Sequence, residues 1–123
     1  MYIQSFKDLL VWQKAFILVK EIYKTTKEFP SEEKFSLVSQ MRRAALSIPC
    51  NIAEGKKRKT VKDFLHFLRM ADGSAAELET QILISKELFP NIDFSNTESI
   101  LIEVQKMLIS MIKKFESMIQ TNS

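Results

Sequence analysis

An all-α, antiparallel up-and-down four-helix bundle is the fold class this sequence predicts, and three observations predict it. Breakers are scarce, with two glycines and three prolines in 123 residues, in a helix-leaning composition rich in Leu, Lys, Glu, Met and Ile. The breaks that do occur are clustered: "FPSEEK" (29–34), "EGKKRKT" (54–60) and "FPNIDFSNTE" (89–98) divide the chain into four segments. Each segment repeats apolar residues at three- and four-residue steps, the period of a helix that buries one face. Helices of this length with short connections pack as a bundle, here as one domain over residues 1–123.

The first segment runs from about Asp8 to Glu28, with the stripe Trp12, Ala15, Phe16, Val19, Ile22 and Tyr23. The second starts after Ser31, an N-cap followed by Glu32 and Glu33 where the helix dipole favours acids. Its stripe is Phe35, Val38, Met41, Ala45, Ile48 and Ile52, and Gly55 is a natural C-terminal stop. Segment three opens at Thr60, with Asp63 three residues on in a capping-box-like arrangement. Val61, Phe64, Leu68, Ala71, Ala75, Leu78, Ile82 and Phe89 then share one heptad seam. That seam keeps phase through Gly73, which predicts one continuous helix and a close approach helped by Ala71, Ala75 and Ala76. Segment four begins with Ser95-Asn96-Thr97-Glu98, a capping box. Leu101, Val104, Leu108, Met111, Phe115 and Met118 follow, and Ile100, Met107, Ile112 and Ile119 widen the stripe. So wide a face is either satisfied inside the bundle or meets another subunit in part.

The stretch from Arg42 to Thr60, "RRAALSIPCNIAEGKKRKT", contains a proline inside a helical pattern. Pro49 has no amide hydrogen, so the carbonyl of Ala45 loses its helical partner, at a cost of about 3 kcal/mol. The apolar pattern continues across it, which predicts a kink rather than an end. Asn51 and Ser47 are placed to bind freed backbone groups. Charge is uneven here. From Arg42 to Lys62 there are seven basic residues against one acid, Glu54, whereas residues 63–90 carry two basic and five acidic groups. One end of the fold is therefore expected to be positive and to attract phosphates.

"DLLVWQKA", "FPSEEKFSLVSQMRRAALSIPCNIAEGKKR" and "DFLHFLRMADGSAAELETQ" resemble the four-helix bundle family of proteins encoded in 23S ribosomal RNA intervening sequences. The likeness covers roughly residues 8–90 in motifs and the whole chain in layout. Its most specific part is Gln40 to Gly55, with "SIP-x-NIAEG" inside it. Cys50 fills the variable position after the proline, and the fourth helix carries no motif to compare. The resemblance implies a bundle that assembles into a homo-pentamer. It also implies kinship with accessory proteins of diversity-generating retroelements, basic pentamers that associate with nucleic acid and a reverse transcriptase. The family's own biochemical role is undefined.

Two groups of side chains stand out as candidate sites. Lys56, Lys57, Arg58, Lys59 and Lys62 form a basic turn suited to nucleic acid, RNA or DNA, through backbone-directed and salt-dependent contacts. Arg42, Arg43, Arg58 and Arg69 are set to face Glu54, Glu77 and Glu79 as a structural network, with Arg43–Glu54 the favoured pair. His66 is the only histidine; a di-iron bundle site needs two acid-x-x-His units, so no metal is expected and His66 is read as an edge-of-core residue. Cys50, the one cysteine, has no nucleophile–base arrangement and reads as a small buried apolar residue in a reducing compartment. No glycine loop for phosphates, no cofactor motif and no catalytic constellation is present. No apolar run approaches the roughly 18 residues of a membrane span, and the start lacks a signal-peptide layout, so the expected location is the cytoplasm. The leading reading is a non-catalytic oligomer that engages nucleic acid without sequence readout. The alternative is an assembly or adaptor module whose partners are proteins.

Overall fold

The computed structural model describes residues 5–121, so the first four and last two residues of the expected 1–123 domain lie outside the described residues. A 3-10 turn at Phe6–Asp8 leads into α1 (Leu10–Thr26), and a second at Ser31–Glu33 precedes α2 (Leu37–Lys56). Then come α3 (Val61–Leu88) and α4 (Ser95–Thr121). Each helix packs on its neighbours in chain order, α1 and α4 close the ring, and among the described residues no diagonal pair brings Cα atoms within 8 Å. The pairings run in opposite directions along neighbouring helices. Arg69, Glu79 and Lys86 of α3 meet Glu116, Gln105 and Glu98 of α4, and Met41 and Ser47 of α2 meet Ser85 and Ser74 of α3. Adjacent helices are therefore antiparallel, and the buried side chains of all four join one apolar cluster.

Both ends of the bundle follow from local sequence. At one end Phe29 sits 4.9 Å from Phe89 and 5.9 Å from Phe94, ring centroid to centroid, so the two "FP" connections are joined by stacked aromatic rings. Beside them the buried hydroxyls of Thr25 and Thr97 share a hydrogen bond of 3.0 Å, which sets α1 against α4. At the other end Thr60 caps α3 as expected, its hydroxyl accepting from the Asp63 amide at 3.1 Å.

Several expectations are corrected. In α1 the buried apolar residues are Val11, Ala15, Leu18 and Ile22, while Phe16 is exposed and Trp12, Val19 and Tyr23 are only half-buried. Nearly every residue from Leu9 to Val19 is apolar, so the helical period fits more than one phase there. Ser31 caps no α-helix: it starts the 3-10 turn, α2 begins at Leu37, and Phe35 is 88% exposed. Gly55 is not a left-handed stop, since no residue among those described has positive φ. It is instead a point of close approach between α2 and α3, because a Cβ there would stand 2.8 Å from Phe64 Cδ1 and Phe67 Cβ. Gly73 lies within continuous α3 as expected, yet a Cβ there would meet nothing within 4 Å, so no close approach depends on it. Ser95 is not the cap of α4; the Asp93 carboxylate accepts from the Ser95 amide at 2.9 Å, and Phe94 O receives the Glu98 amide.

Pro49 lies inside α2, which continues to Lys56 because Ile48 and Ile52 on either side are fully buried. The Asn51 amide donates to the carbonyl and hydroxyl of Ser47, at 2.8 and 2.9 Å, and so binds a neighbour of the carbonyl that Pro49 frees rather than that carbonyl itself.

The two glycines make a matched test. Gly55→Ala should lower unfolding free energy by about 1–3 kcal/mol through overpacking, while Gly73→Ala should raise it by about 0.5–1 kcal/mol. Denaturant unfolding of both variants checks this, and shifts of the same sign would refute the assignment of the close approach to Gly55. The start of α4 gives a pH test. The hydrogen bonds from the Ser95 backbone, and then from its side chain, hold the Asp93 carboxyl below the ordinary aspartate value. A lowered folded pKa means stability that is present above the unfolded value and lost as pH falls through the folded one. Asp93→Ala should therefore be less stable than the parent at neutral pH, and the two unfolding curves should converge in acid. A gap that stays constant through that range would rule the cap out.

Candidate nucleic-acid interface at the α2–α3 turn

Helix α2 runs out in the segment Lys56-Lys57-Arg58-Lys59, where cations suit the negative end of the helix dipole. The Lys57 amide still reaches Ala53 O at 3.2 Å and the Arg58 amide reaches Gly55 O at 3.1 Å, which winds the chain off the helix into a tight turn. Thr60 then starts α3. Four residues thus separate two antiparallel helices, and their side chains are held at the end of the bundle. Lys57, Lys59 and Lys62 are exposed; Lys56 is half-buried.

Arg58 differs from its neighbours. Its Nη2 donates to Glu54 Oε1 at 2.9 Å, one helical turn back, and its guanidinium lies 4.9 Å from the Phe67 ring centroid. It therefore braces the turn against α3, and the adjacent Glu54, the one acid of the basic stretch, is spent on it. Lys62 opens onto a shallow groove shared with Leu65, Arg69, Glu116, Ile119 and Gln120. Arg69 in that groove is already paired with Glu116 at 2.6 Å. The exposed positive charge of this end thus rests on lysines, whose compact charge suits phosphates as a class rather than base edges.

The expected arginine–glutamate network resolves into separate local contacts. Arg43 is exposed, and Glu54 lies eleven residues, or about 16 Å of helix, beyond it; Glu54 pairs with Arg58 instead. Arg42 donates to Thr26 Oγ1 at 3.0 Å and Tyr23 O at 3.3 Å, with its guanidinium 4.4 Å from the Tyr23 ring centroid, so it ties α2 to the C-terminal turn of α1. Glu77 and Glu79 accept from amides, those of Gln81 at 3.4 Å and Gln105 at 2.9 Å.

Two further expectations are corrected. His66 is exposed, with its ring edge-on to Phe67, because the adjacent Leu65 takes the core position. Cys50 is also exposed. It lies in the wall of an apolar groove of 330 Å³ between α1 and α2, with Phe6, Trp12, Phe16, Val19, Lys20, Leu46, Pro49 and Ala53. The signal for this groove was present in the sequence as the surplus of apolar residues on α1. Among the described residues no group of three His, Cys, Asp or Glu side chains is placed to hold a metal, and no helix is long and apolar enough to cross a membrane.

The chain is similar to a solved protein of unknown function from the S23 ribosomal protein family of Bacteroides thetaiotaomicron. The two are 28% identical with a TM-score of 0.72, over 85% of this chain and 99% of that one. No curated protein matches the sequence. A family model described as 23S rRNA-intervening sequence protein matches residues 7–110, which takes in α1, α2, the basic turn, α3 and more than half of α4. On that match the chain belongs to the 23S rRNA-intervening sequence protein family.

Proposed function

We propose that this protein is a non-catalytic, self-assembling helical protein that binds nucleic acid, foremost RNA, through phosphate contacts and without sequence readout. The observation that carries the reading is the exposure of Lys57, Lys59 and Lys62 at one end of the bundle, where Glu54 pairs with Arg58 and Asp63 stands beside the three lysines as a single carboxylate. Assembly into a pentamer, which the family resemblance implies, would repeat that turn around a ring, and the positive field of one subunit would be multiplied. The second reading, a protein assembly or adaptor module, is favoured by the apolar groove between α1 and α2.

Fluorescence anisotropy of nuclease-treated protein with a labelled structured RNA, titrated at several salt concentrations, separates the two. Contacts from three lysines per subunit predict a slope of log affinity against log salt of about −2 to −3 for each subunit engaged. The triple variant Lys57→Glu, Lys59→Glu, Lys62→Glu should abolish binding while leaving helicity and assembly unchanged. Unchanged affinity in that variant would overturn the proposed site, and no binding by the parent at low salt would leave the protein-partner reading.

A further inference from the structure

Because the helices close in chain order, the groove between α1 and α2 and the one between α3 and α4 open on opposite sides of the bundle. The first is apolar, with Trp12, Phe16, Leu46 and Cys50 in its wall. It is continued past Leu46 by a second depression that includes Phe35 and Arg43. The charged residues lining the two are Lys20, Lys34, Arg42 and Arg43, with no carboxylate among the lining residues. On the opposite side the pairings Glu79–Gln105 and Lys86–Glu98 fix the register of α3 on α4. That register sets Leu83 beside Ile102 and Ala76 beside Ile109 along the outer seam. Leu83, Ile102 and Ile109 are 52%, 49% and 45% exposed, a stripe that matches the half-exposed Phe16 and Leu46 opposite. The charge that α3 adds there is of the other sign. Lys86 and Arg69 are neutralised by Glu98 and Glu116, Glu79 accepts from the neutral Gln105 amide, and Asp72 and Glu87 add carboxylates to the same helix.

We propose that these two sides are the two halves of one contact: the α1/α2 groove of one copy receives the α3/α4 stripe of the next. The inference rests on the self-assembly in the reading above and is independent of nucleic-acid binding. A symmetric contact of the first side with itself would set its cations against their own copies, and one of the second would oppose carboxylates to carboxylates. Joining unlike sides buries both apolar stripes and pairs opposite charges. Since the two sides lie on opposite faces, the contact is head-to-tail, and it propagates until a ring closes.

The test uses two surface variants, Leu46→Glu for the first side and Ile109→Lys for the second, with light scattering as the readout and circular dichroism as the check on folding. Each variant alone should be a single chain. Their equimolar mixture should associate again, because one pair of sides is intact and the altered pair sets a carboxylate against a cation. A variant that keeps the parent's mass, or a mixture that fails to pair, overturns the choice of sides. A monomeric parent overturns the self-assembly reading itself and this inference with it. Cys50, the chain's one cysteine, supplies an independent measurement that needs no change in the first side. Its thiol should react with a disulfide reagent about tenfold more slowly in the parent than in Ile109→Lys. Equal rates would mean that the α1/α2 groove is uncovered in the assembly, which also overturns the proposal.

Discussion

The rest of the fold depends on how closely α2 and α3 approach each other. Along their seam the side chains are small: Ala44, Ala45, Ala71 and Ala75 are buried, the Ser47 and Ser74 hydroxyls lie 2.7 Å apart, and Gly55 presses on Phe64 and Phe67. Such residues let two helix axes come near the short end of the usual 8–10 Å. The approach makes the four-residue turn after Lys56 sufficient, and it pins Arg58 between Glu54 and Phe67. It also accommodates Pro49. A proline in a helix interior loses a hydrogen bond, and α2 continues through it because packing of Ile48 and Ile52 holds the helix where propensity alone would not.

Unequal helix lengths shape the end that bears the turn. α3 and α4 span about 40 Å each and α1 about 26 Å. At the aromatic end α1 and α4 are level, since Thr25 meets Thr97. α4 therefore runs on past the start of α1, where Leu10 and Met111 line one groove. Beyond Leu108 none of its described side chains is fully buried: Met111, Ile112 and Phe115 are half-covered, Phe115 by Phe64 at 5.0 Å between ring centroids. The width of the apolar stripe on α4 has its explanation here. Only three helices, α4 itself included, reach the level of its last turns, so the stripe is wide and only partly satisfied within one chain. Lys62, at the start of α3, thus stands beside apolar surface in the groove it shares with Leu65 and Ile119.

Polar side chains in the interior refine the arrangement. Ser85 is fully buried and donates to Gln81 O at 2.7 Å within α3, and its hydroxyl also faces Met41 Sδ at 3.6 Å. The Thr25–Thr97 bond is different in kind, because it joins residues 72 apart in sequence. A buried hydroxyl without a partner costs about 1–3 kcal/mol, so sliding α1 along α4 by one turn would be penalised twice. Apolar contacts, which are not directional, set no such register.

By itself the sequence determined the number of helices, their order and most of their inward faces. Clustered breakers, a cap at Thr60 and unbroken periodicity in α3 and α4 are local signals, and local signals survive without knowledge of the fold. It also placed the basic turn between two helices, where exposure follows from position. Only the tertiary structure decided which face of α1 is buried, since a helix apolar on several sides is oriented by what it packs against. The same holds for Cys50 and His66, each one residue away from a buried neighbour. It holds for the arginines too: charged side chains choose partners by proximity in three dimensions, and Glu54 found Arg58 one turn away rather than Arg43 three turns away. The two glycines state the rule most simply. Alike in sequence as interruptions of a helix, they differ in the fold because one faces a neighbouring helix and the other faces outward.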